Sequence, residues 1–144
     1  MMTMKMNVEI QDMINENIVH LATTSNDGKP NVVPVGGIRA MSESELLIVD
    51  VLFDKTKRNL LENPNVAIAV EVLGKGAPRG YQLKGRATIF TSGEIFEEAE
   101  KMVERMAEEM RKRGSGHHPS LTVKSAVHID VEEIYSTVRQ KKEN

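Results

Sequence analysis

The sequence predicts a mainly β, α+β fold: a six-stranded antiparallel sheet closed into a barrel, with one long helix and two short ones. Two-residue periodicity dominates the chain on either side of a single long stretch of helical periodicity. The strand-like stretches follow one another through short turns, of which Asp27-Gly28 is the clearest, and tight turns make antiparallel neighbours. Closure into a barrel then hides the edges that an open sheet would expose. The 144 residues fit a single domain, 1–144, with residues 1–6 and 140–144 frayed.

Each element follows from local chemistry. Ile10, Met13 and Ile14 recur at helical spacing and predict a short amphipathic helix over residues 7–16. "NIVHLATTS" is the first strand, with Val19, Leu21 and Thr23 on one face and Ile18, His20 and Ala22 on the other. "PNVVPVGGIRA" is the second strand and "ELLIVDVLF" the third, separated by the polar Met-Ser-Glu-Ser. "DKTKRNLLENP" is a short helix with Leu60 and Leu61 inward, ended by Pro64. "NVAIAVEVLG" is an apolar fourth strand, expected to be buried on both faces. In the fifth, "YQLKGRATIF", Gly85 signals a bulge or a close backbone approach.

Thr91 and Glu94 have capping-box spacing before the long helix. Its apolar stripe runs Ile95, Ala99, Met102, Val103, Met106 and Met110, and reads as core or dimer packing. Basic residues Arg111, Lys112 and Arg113 suit its C-terminal dipole, and Gly114 stops it. "LTVKSAVHIDVEEIYSTV" alternates as a sixth strand.

Composition excludes several function classes. The formal net charge is −2, so no overall positive field recruits nucleic acid. With no cysteine there is no disulfide, thiolate metal site or thiol nucleophile. Tryptophan is absent and aromatics are 3% of the chain, too few for base-stacking platforms. The N-terminus lacks the pattern of a secretory signal, and no stretch approaches the roughly 20 apolar residues of a membrane helix. A cytoplasmic protein with no membrane partner is the expectation.

Two segments carry candidate chemistry. Lys55, Thr56, Lys57, Arg58 and Asn59 open a helix directly after a strand, where free amides, dipole and ammonium groups suit a phosphate. The same run also reads as a solvated helix start capped by Asp54 or Thr56. Val33, Pro34, Val35, Gly36 and Gly37 combine a missing amide with missing side chains, in a strand that should avoid both. They form either a bulged edge or a wall whose bare backbone meets a flat ring. The four histidines fit no metal pattern: His117 and His118 are adjacent on a loop, and His20 and His128 sit on strands as structural residues. No metal site and no catalytic triad are expected.

Taken in order, "LATTSNDGKPNVVPV", "LLIVDVLFDKTKRNLLENPNVAIAV" and "YQLKGRATI" resemble the pyridoxamine 5'-phosphate oxidase-like, FMN-binding split-barrel family, from about Ile18 to Phe90. The resemblance implies a split barrel and a homodimer with FMN in clefts between subunits. It implies that Val33, Pro34, Val35 and Gly36 line the isoalloxazine ring, with Val49 and Asp50 on the adjacent strand. Lys55, Thr56, Lys57 and Asn59 match the phosphate-holding segment, with a one-residue ambiguity over which lysine makes the contact. Gln82 falls near the family's ring-contacting glutamine, though its spacing to Gly85 is shorter. Val33 replaces the family's second-strand arginine, and the closing tryptophan is missing, so oxidation of pyridoxamine 5'-phosphate itself is not expected. His117 and His118 are placed near the partner subunit's flavin. The implied function is a flavin-dependent oxidoreductase using a nicotinamide or a small electron acceptor. The alternatives are a non-catalytic flavin carrier or sensor, or a relative using deazaflavin or haem.

Overall fold

The computed structural model describes residues 5–74, 76–114 and 122–138. In chain order the elements are α1 (Val8–Glu16), β1 (Val19–Thr24), β2 (Pro30–Val35), β3 (Ile38–Ala40), β4 (Glu45–Asp50), α2 (Lys55–Glu62), β5 (Asn65–Val72), β6 (Arg79–Phe90), α3 (Glu94–Lys112) and β7 (Ser125–Ser136). The strands form one antiparallel sheet in the order β2-β1-β5-β6-β7-β4-β3. There are seven strands, not six, because the segment expected as one second strand is two.

That division shapes the sheet. β2 and β3 stand at opposite ends of the strand order, yet only Gly36 and Gly37 separate them. A flat sheet of seven strands is about 29 Å across at ordinary strand spacing. Three Cα steps from Val35 to Ile38 reach at most about 11 Å. The sheet therefore curls until its two ends meet at the glycine pair, where the Val49 amide donates to the Gly37 carbonyl at 2.8 Å. This is a split barrel.

Inside the curl, Val19, Leu21, Leu46, Ile48, Ile68 and Leu83 pack with Ile10, Met13 and Ile14 from α1, which closes one end. Met6 joins this core, 1% exposed. Outside it, α3 lies on β4 and β7 and covers Leu47, Val49 and Ala126 with Ala99 and Met102. The strand buried on both faces is thus β4, not β5, whose alternate residues Ala67 and Ala69 stay half-exposed.

Local expectations fare unevenly. Gly28 takes φ +84 in the β1–β2 turn, and Gly114 takes φ +66 just past α3, conformations that suit glycine. Gly85 sits at a register shift between β6 and β7, where a Cβ would run into the backbone carbonyl of Asp130. The α3 N-cap is Gly93 rather than Thr91, without a side-chain cap, so the capping box does not form. Leu60 is buried, but Leu61 is 71% exposed, because the single covered stripe of α2 also takes Thr56 and Asn59. Among the described residues, no helix is long and apolar enough to cross a membrane.

Candidate functional site

The seam of the barrel opens into a cavity of about 530 Å³. One wall is the end of β2 and the glycine corner, Val33 to Gly37, with Val49 behind it. The turn after β4, Val51 to Phe53, makes the floor, and Val103, Met106, Ala107 and Met110 of α3 lean over the opening. The volume is in the range of small-molecule and cofactor sites, and the side chains are apolar throughout. Among the described residues β2 pairs only with β1, which leaves its other backbone edge unpaired along Pro30–Val35, and Pro34 offers a carbonyl but no amide. A Cβ on Gly36 would meet nothing within 4 Å. Such a wall facing the methionines offers apolar surface to the faces of a flat ring and backbone groups to polar atoms on its rim.

Beside this cavity α2 begins. Its N-cap residue, Asp54, gives no side-chain bond to the helix amides; its carboxylate instead pairs with Arg58 at 3.4 Å. The first-turn amides are therefore not capped from within. Lys55, exposed and two residues past Phe53, has no ion pair among the described residues. Lys57 is held differently. Its Nζ lies 3.0 Å from Oδ2 of Asp50, which is fully buried. The same oxygen accepts from Ser125 Oγ at 2.6 Å, and Oδ1 accepts from the Phe53 amide at 2.9 Å. One carboxylate thus ties together the end of β4, the cavity floor, α2 and the start of β7.

Thr56 and Asn59 of α2 face inward too. Thr56 Oγ1 accepts from Asn31 Nδ2, and Asn59 Nδ2 donates to Thr23 Oγ1, each at 3.1 Å. These bonds fix α2 against β1 and β2 and set where its amide end points.

Of the residues selected from sequence, Val33, Pro34, Val35, Gly36 and Val49 line one cavity, and Lys55 stands beside it. Asp50, Thr56, Lys57 and Asn59 form the frame beneath. Gln82 lies elsewhere within the chain: it shares a register row with Pro34 through His20 and Ala69, three strands and about 14 Å away. That row lies on the outer face of the sheet. His117 and His118 lie outside the described residues. Sequence reasoning missed the floor, Val51 to Phe53, and assigned the methionines of α3 to packing. Their signal was an apolar stripe that continues past its buried part: Met102 is buried, while Met106 and Met110 are 38% and 43% exposed.

Comparison with known proteins agrees with this architecture. The family model described as pyridoxamine 5'-phosphate oxidase matches residues 6–138. The uncharacterized protein MJ0282 of Methanocaldococcus jannaschii is 35% identical over 134 residues, which cover 92% of this chain and 80% of that protein. Two solved structures superpose closely: HupZ of Group A Streptococcus (TM-score 0.72, 24% identity, 92% of this chain and 94% of that one) and an FMN-binding protein of Syntrophomonas wolfei (TM-score 0.71, 14% identity, 91% and 85%). The same fold, at a TM-score of 0.59 in each case, occurs in an F420 reductase (17% identity, 87% and 94%) and in the haem storage protein HutZ of Vibrio cholerae (18% identity, 92% and 94%). With the split barrel, its seam and the match along almost all of its length, the chain belongs to the pyridoxamine 5'-phosphate oxidase family.

Proposed function

We propose that this protein binds FMN in the seam cavity and acts as a flavin-dependent oxidoreductase. The observation that carries the reading is the pairing of an apolar cavity of about 530 Å³, walled by an unpaired strand edge, with the uncapped basic start of α2 beside it. The ring would lie on Val33 to Gly36 and Val49, with the phosphate at the first-turn amides and Lys55. Flavin supplies hydride and electron transfer when bound; the chain supplies position, a dry surface and charge complementarity. Lys57 enters as a positioning residue, since Asp50 already holds its ammonium. Oxidation of pyridoxamine 5'-phosphate is not part of the proposal, because the chain has no tryptophan to close over the ring and Val33 in place of the second-strand arginine. A nicotinamide or a small acceptor is the proposed redox partner.

A homodimer in the cytoplasm is part of the same reading. The outer sheet face carries small side chains, Ala22, Ala67 and Ala69, beside exposed Val32 and Pro34, and a second copy can lie flat on it. Such a pair would bring Gln82 close to the second chain.

The test is the visible spectrum of the purified protein, followed by acid release and identification of the chromophore. Flavin bands and released FMN are expected, and added FMN should raise the melting temperature of the stripped protein. The Lys55→Ala substitution should weaken FMN by about 1–3 kcal/mol, the scale of one charge-assisted contact, without loss of fold stability. Release of haem or a deazaflavin, or a colourless protein indifferent to FMN, would overturn the assignment. Tight FMN with no turnover of nicotinamides would leave a carrier or sensor in its place.

A further inference from the structure

A second cluster of chemistry lies at the far end of β4 from the cavity, on the ladder between β4 and β7. Glu45 and Asp130 are direct register partners there, and His128 follows on the same face, opposite Leu47. The donor atoms of Glu45, His128 and Asp130 all lie within 4.8 Å of one another. Two carboxylates facing each other across neighbouring strands repel, so the pairing is unfavourable unless a cation sits between them. Arg86 is opposite Asp130 on β6, yet makes no ion pair with it among the described residues. His128 is built in rather than dangling: its side chain is 12% exposed, and its ring stands edge-on to Phe90 at 6.4 Å and 86°. This leaves Nε2 facing Glu45, 3.7 Å from Oε1, beyond hydrogen-bond range. The other oxygen of Glu45 is steadied by Ser42 Oγ at 3.3 Å.

We propose that Glu45, His128 and Asp130 form a binding site for a divalent transition-metal ion. One imidazole nitrogen and two carboxylates, with no thiolate, suit Zn²⁺ or Mn²⁺. A metal holds such donors about 2.0–2.2 Å from itself, so the three groups must close in somewhat. Glu45 and Asp130 can do so by side-chain rotation, because both reach towards solvent, while His128 stays where Phe90 holds it. The ion would clamp β7 to β4 and keep positions open to water. The site is independent of the flavin cavity and uses none of its residues.

The experiment is zinc binding to the untagged, chelator-treated full chain by titration calorimetry. One saturable site per chain with a micromolar dissociation constant is expected, with a higher melting temperature in excess zinc. His128→Gln, and separately Asp130→Asn, should each weaken binding at least tenfold. A variant carrying His117→Ala and His118→Ala should bind as the parent does. Asp130→Asn changes an exposed position and keeps the test valid if the His128 variant folds poorly. Absence of saturable binding, unchanged affinity in Asp130→Asn, or loss of the site in the His117 and His118 variant would overturn the proposal.

Discussion

Asn in place of Asp50 keeps the shape of the buried side chain and removes its charge. Three donors converge on the native carboxylate: the Phe53 amide at 2.9 Å, Ser125 Oγ at 2.6 Å and Lys57 Nζ at 3.0 Å. Asparagine offers one accepting oxygen and one donating NH₂. If the oxygen stays on Phe53, the NH₂ faces Ser125 and Lys57. The serine hydroxyl can turn and accept, but an ammonium can only donate. Lys57 therefore loses its partner, and at 29% exposure water replaces only part of what is lost. A bond to a charged group contributes about 1.5–3 kcal/mol, which puts Asp50→Asn near 2 kcal/mol of destabilisation. Asp50→Ala, which strands all three donors, should cost about 4 kcal/mol. Urea unfolding followed by circular dichroism measures both, and the midpoint should move while the slope stays constant. Lys57→Met combined with Asp50→Asn should be less damaging than the sum of the two by about 1–2 kcal/mol. If Asp50→Asn lies within about 0.5 kcal/mol of the parent, or the pair proves additive, the carboxylate is not the tie described above.

Other substitutions probe the remaining frame. Gly85→Ala places a methyl group against the Asp130 carbonyl and the Ile129 side chain, and should cost about 3 kcal/mol in the same unfolding assay or yield insoluble protein. Asn59→Ala leaves the Thr23 hydroxyl without its donor in a buried position and should cost about 1–3 kcal/mol in urea. Leu46→Ala, at 0% exposure inside the barrel, should cost about 2–5 kcal/mol, with a lowered melting temperature as the readout.

The strands and the long helix were legible because their periodicity is imposed by one covered face each, as the alternation of β1 shows. Where a second layer intervenes, the reading failed. β4 is apolar on both faces because α3 covers the outside, and α3 follows it by more than forty positions in the chain. The split at Gly36-Gly37 was also hidden, since only the strand order reveals that β2 and β3 belong to opposite ends. Pro34 and Gly36 of the wall were visible as violations of strand chemistry. The role of Asp50 was not, because Ser125 and Lys57 reach it from elements remote in sequence. The same remoteness conceals the convergence of Glu45 with His128 and Asp130.

The place of β7 between β6 and β4 has a consequence for biosynthesis. β7 is a central strand that follows β4 by more than seventy positions, so the second pairing edge of β4 stays open until residues 125–136 have been made. Chains cut short before residue 125 would keep the hairpins β1–β2, β3–β4 and β5–β6 but lack the strand that pairs with both β6 and β4. Truncated products should therefore be cleared or aggregate rather than persist as a smaller barrel.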